Sequence, residues 1–140
     1  MQGHGQQGWA PAVVCHVGDY DSDLYVVAIR ETDAPGSWSL SFTECRDGDD
    51  PQEIRLGMDT YCLVVDPGQA THYGGVRECE LDGGRLHLRL TEEAAGSLGM
   101  PADVTLALDL TPQQVDLLSR GLARVLTSGR ADAIPQRLRV

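Results

Sequence analysis

The chain contains no lysine: all 11 of its basic residues are arginine, set against 21 acids for a net charge of −10. A surface of that sign repels phosphate backbones and anionic lipid, so it argues against nucleic acid or membrane as a partner and favours a basic one. Aromatic residues are scarce at 5%, with Phe42 the single phenylalanine, so leucine and valine must build most of the core. Long apolar runs are missing too. Leu24 to Ile29 and Cys62 to Val65 fall far short of the roughly 20 residues that a membrane helix needs. The start, Met1-Gln2-Gly3-His4-Gly5, has neither the basic nor the apolar stretch of a signal peptide, and the expected compartment is the cytoplasm. Cys15, Cys45, Cys62 and Cys79 are widely separated, each in a strand-like run where a reduced thiol acts as a small hydrophobe. With no CxxC, CxH or HxxxH, the close ligand pairs of a zinc site are absent, and neither metal nor cofactor is expected.

What is present describes one domain. A chain of 140 residues that is 41% apolar can bury a single core without disulfide staples. Residues 1–11, rich in Gly and Gln, read as a flexible tail, residues 12–129 as the domain, and residues 130–140 as a C-terminal extension or frayed end. Within the domain, Ala12–Val17 and Leu24–Arg30 read as strands around a turn from Gly18 to Asp23. Trp38, Leu40 and Phe42 alternate with Ser37, Ser39, Ser41 and Thr43, which implies one buried and one wet face. Asp59–Asp66, Gln69–Tyr73, Val76–Leu81, the Leu86–Leu90 alternation and Val104–Leu110 continue the β pattern. Thr91 caps a short helix that Gly99 stops. Thr111, Pro112 and Gln114 open a longer helix with a capping box, its apolar stripe Val115, Leu118, Leu122, Val125 and Leu126 meant for the sheet and Gly129 its expected end. The expected fold is α+β: an antiparallel sheet of about seven strands packed against one long C-terminal helix and one short helix.

Chemistry is harder to place. Asp19, Asp21 and Asp23 imitate the first ligands of an EF-hand, but Leu24 stands where that loop needs glycine and Arg30 where it needs a bidentate glutamate. A nucleophile would require Cys62 or Cys79 beside His72 or His87, yet the chain holds no nucleophile elbow or phosphate loop. A ligand-binding or regulatory module would instead need an apolar pocket between the long helix and the sheet.

Two stretches stand out: Gly57-Met58-Asp59-Thr60-Tyr61, and Tyr73-Gly74-Gly75-Val76 about one hairpin later. With Glu80-Leu81, the Leu86–Leu90 alternation, the Leu98-Gly99 helix end and Gly121, Leu122 and Val125, they resemble the immunity protein 10 family of bacterial polymorphic toxin systems over roughly residues 12–127. The segment Trp38–Asp50 is shorter and richer in serine than that pattern, and the chain after Gly129 is unmatched. The resemblance implies a non-enzymatic cytoplasmic antidote that binds a toxin domain, as a monomer or homodimer. The motif residues Gly57, Met58, Asp59, Tyr61, Tyr73, Gly74 and Gly75 themselves read as structural, the glycines serving backbone conformation and Met58 and Tyr61 filling the core. The acidic composition points to a basic toxin, with Asp19, Asp21, Asp23, Asp47, Asp49 and Asp50 as its contacts and Tyr20 and Tyr25 as aromatic anchors.

Overall fold

The computed structural model describes residues 11–20, 24–32, 34, 36–44, 60–82, 84–129 and 131–140, with Val14, Asp19, Tyr20, Leu24 and Ala131 described by backbone only. The first five strands form an antiparallel meander: β1 Val14–Tyr20, β2 Leu24–Arg30, β3 Ser39–Thr43, β4 Cys62–Asp66 and β5 Ala70–Tyr73. A second sheet has the order β8-β7-β6-β9, from β6 Val76–Asp82, β7 Arg85–Leu90, β8 Asp103–Ala107 and β9 Arg137–Arg139. Helix α1, Glu92–Leu98, joins β7 to β8, and α2, Pro112–Leu126, follows β8.

The α+β expectation therefore holds, and the described strands divide between two sheets. Alternation predicts which residues face inward but not which strands pair, because pairing is a non-local choice. The register makes the inward set continuous: Val27 lies opposite Phe42 and Phe42 opposite Leu63, while Ile29 lies opposite Leu40. All five are at most 1% exposed, and they share one core with Leu86, Leu88, Val104 and Leu106 of the second sheet. Burying each such side chain is worth about 1.5–3 kcal/mol.

The helix signals act as read. Thr111 Oγ1 accepts from the Gln114 amide while Gln114 Oε1 accepts from the Thr111 amide, closing the capping box. Thr91 caps α1, and Gly99 ends it in the left-handed conformation. Helix α2 stops at Leu126, before the expected Gly129, where the Thr127 hydroxyl turns back onto the Ala123 carbonyl. Its buried stripe includes Gly121, which lets the helix lie close on the sheet: a Cβ there would stand 2.7 Å from Val27 Cγ2 and 2.9 Å from Val17 Cγ1.

The C-terminal stretch is not frayed. Arg137–Arg139 runs parallel to β6, pairing Leu138 with Cys79, and the Gln136 amide donates to the Arg77 carbonyl. Buried Pro135 and half-buried Leu138 supply the apolar contacts that a run of arginines conceals in sequence. Ala12, expected to begin the first strand, instead bridges Leu108, joining the entry of the first sheet to the end of β8.

Candidate partner-binding surfaces

The family-like motif residues that can be placed lie where the two sheets meet. Tyr61 is fully buried; its hydroxyl donates to the Ala133 carbonyl at 2.8 Å and accepts from the Val76 amide at 3.0 Å. One phenol thus ties the approach to β4, the start of β6 and the C-terminal stretch together. Burial pushes its pKa up to about 12, with a further rise from the neighbouring Cys79 charge, against the lowering effect of the Val76 amide. Gly74 and Gly75 connect the sheets at φ 73° and 94°, a region that favours glycine. A Cβ on Gly75 would lie 2.6 Å from Ala94 Cβ of α1 and 3.1 Å from the His72 ring. Tyr73 stands opposite Cys62 on the outer face and hydrogen-bonds its thiol. Gly57, Met58 and Asp59 lie outside the described residues.

Among the described residues, burial works against thiolate formation at the cysteines. Burial raises the pKa of Cys15 and Cys62, and that of Cys79 to about 12, with Glu80 adding to the last. A reactive cysteine needs a lowered value. Cys62 pairs with Tyr73 and Leu63 with His72, so Cys62 and His72 project from opposite faces of the sheet. Cys79 is buried in the second sheet, and Cys45 lies outside the described residues. Among the described residues no group of His, Cys, Asp or Glu could hold a metal ion, and no helix is long and apolar enough to cross a membrane.

Of the expected contact residues, Asp19 and Tyr20 sit in β1, their backbones opposite Tyr25 and Leu24. Asp21, Asp23, Asp47, Asp49 and Asp50 lie outside the described residues. The points from which the two acidic segments depart are adjacent, because the Glu44 amide donates to the Tyr25 carbonyl at 2.9 Å. The C-terminus of α2, the negative end of its dipole, lies at the same edge. Tyr25 already has an intramolecular role there. Its ring lies 3.7 Å beneath the Arg124 guanidinium, which forms a bidentate pair with Glu44 at 2.6 and 3.1 Å.

The outer faces of the two sheets complete the surface. On the four-stranded sheet, acidic side chains are engaged across strands: Arg89 pairs with Glu78 at 3.6 Å, and the His87 ring lies 2.6 Å from Asp103 and 3.8 Å from Glu80. On the five-stranded sheet, β3 presents only Ser39, Ser41 and Thr43 outward, so its small side chains form the floor of a trough of about 760 Å³. His16 and Arg30 stand on one wall, and Val64 and Asp66 on the other. Register places Arg30, Ser39 and Asp66 in one cross-strand row, with Ser39 Oγ 3.4 Å from Asp66 Oδ2. The Gly121 contact seats α2 closely on the inner face of the sheet, and the trough lies on the opposite face. Sequence reading found the wet serine face but missed Arg30 and Asp66, whose proximity depends on register.

Comparison with known proteins supports the motif reading. The family model of immunity protein 10 matches residues 12–116, which span β1 to β8, α1 and the start of α2. No curated protein and no solved structure matches the chain significantly. A match over three quarters of the sequence, together with motif residues that knit the two sheets, establishes that the chain belongs to the immunity protein 10 family.

Proposed function

We propose that this protein binds a cognate bacterial toxin domain in the cytoplasm and blocks it, doing no chemistry of its own. The family match carries the reading, and the raised thiol pKa values agree with it. The toxin's contact surface is basic. It meets the edge of the five-stranded sheet where the segments bearing Asp19, Asp21 and Asp23 and Asp47, Asp49 and Asp50 depart side by side. A net charge of −10 would speed that encounter and make it salt-dependent.

The test is co-expression with each toxin-like domain encoded beside this chain, scored by growth rescue and co-purification. Rescue with a stable complex is the expected result, with an association rate that falls about tenfold or more between low and physiological salt. Failure to obtain either rescue or a complex with any neighbouring domain overturns the proposal.

A further inference from the structure

We infer that the trough on the outer face of the five-stranded sheet is a second docking surface for the toxin, in which Arg30 receives a carboxylate from an extended toxin segment. The inference rests on the immunity reading above and adds a partner chemistry that net charge alone would not suggest.

Three observations carry it. First, Arg30 is half-buried, and its Nε is fully buried with no acceptor among the described residues. The guanidinium is thus already partly desolvated and held in one orientation, so a carboxylate that meets the part of it facing the trough does so at a reduced desolvation and ordering cost. Second, the cation stands in a concavity. The hydroxyl floor of β3 is low enough for a polypeptide segment to enter, and an arginine within a recess is the kind of group on which interface energy concentrates. Third, the walls differ in sign. Asp66 occupies the same cross-strand row as Arg30 two strands away, about 10 Å from strand spacing alone. Arg30 and Asp66 face each other across the trough, so a segment lying along β3 turns its side chains alternately toward the two walls. The trough therefore selects a segment carrying an acid on the Arg30 side and a base or N–H donor on the Asp66 side. A free anion fits less well, because Asp66 and its tie to Ser39 place a carboxylate in the same row.

The arrangement separates two tasks. The acidic edge draws in basic domains in general, whereas Arg30 repels a cation placed in the trough and so rejects a toxin docked in the wrong register.

The experiment measures binding of the full chain to an inactivated cognate toxin domain by biolayer interferometry, with circular dichroism to verify folding. Arg30→Gln is expected to weaken binding at least about tenfold, mainly through faster dissociation, and Arg30→Glu about a hundredfold or more. Arg30→Lys should recover only part of the loss, because an ammonium lacks the planar fork. Ser41→Tyr, which fills the floor without touching Arg30, should weaken binding as strongly, and this variant serves if Arg30 changes disturb folding. Wild-type binding with both Arg30→Glu and Ser41→Tyr within twofold overturns the inference and leaves the immunity reading intact. Absence of wild-type binding and rescue overturns both.

Discussion

The outer faces of the two sheets are both strand surfaces rich in polar residues, yet they treat charge in opposite ways. On the four-stranded sheet Glu78, Glu80 and Asp103 are engaged by Arg89 and His87 across the strands, and register brings Arg137 and Arg139 of β9 beside Glu78 and Glu80. Such a face is close to electrically complete. The outer face of the five-stranded sheet sets Arg30 in a recess, with no partner for its Nε among the described residues. A folded protein tolerates exposed, mutually paired charges easily, because each pair contributes little either way. A buried guanidinium N–H without an acceptor persists where something else is gained. The contrast directs attention to the emptier face.

If the faces differ in chemistry but belong to one cooperative unit, damage at their junction should unfold both together. Gly75→Ala should be the most destabilising single change, by about 3 kcal/mol, since it combines a strained positive φ with a clash against Ala94. Urea denaturation followed by tryptophan fluorescence and by hydrogen exchange in β7 should show one coincident transition; two separate ones would break the comparison into independent layers. Tyr61→Phe should cost about 2 kcal/mol, because it strips the buried Val76 amide of its acceptor and Ala133 of its donor. A loss below about 0.5 kcal/mol in the same assay would show that the phenol is not the tie between the sheets.

Alkaline titration sharpens the point at the same junction. Tyr61 and Cys79 hold their protons more tightly folded than unfolded, both up to about 12. Their contribution is therefore intact below the unfolded values, near pH 9 for the thiol and 10 for the phenol, and is lost as pH rises toward 12. Stability should decline by up to about 1 kcal/mol per pH unit per group across that window, measured by denaturant midpoints. Tyr61→Phe should remove the phenol's share, and an unchanged slope would assign the decline elsewhere. The smallest effect is expected on the four-stranded sheet: Arg89→Gln should alter stability by less than about 0.5 kcal/mol and toxin affinity by less than about twofold. A large loss of affinity there would reverse the ranking of the two faces.

Much of the fold was legible because its signals are local. The Thr111–Gln114 capping box, the Gly99 stop, the Leu86–Leu88–Leu90 alternation and the stripe on α2 each depend on neighbours a few residues away, and each appears as read except that Val115 lies outside the buried part of the stripe. The partition into two sheets was not legible, nor was β9, whose backbone pairing with β6 is compatible with the alternating arginines that suggested a loose end. The surface divides along the same line. Ser39, Ser41 and Thr43 were recognisable as a wet face, but the row from Arg30 to Asp66 joins residues 36 apart in sequence and exists only through the register of three strands. Tyr25 shows the same limit: an aromatic beside an acidic turn reads as an exposed anchor, and its contact with Arg124 of α2 depends on packing between elements far apart in sequence.

The order of elements along the chain also bears on synthesis. The five-stranded meander is complete at Tyr73, while the helix that covers its inner face ends at Leu126. At ribosomal speeds of about 5–20 residues per second, Val27, Ile29, Phe42 and Leu63 wait roughly 3 to 10 seconds for their cover. During that interval the nascent sheet offers a bare apolar surface to its surroundings. A slow stretch of translation between β5 and α2 would lengthen the exposure, and holding chaperones would find their target in this half-made molecule.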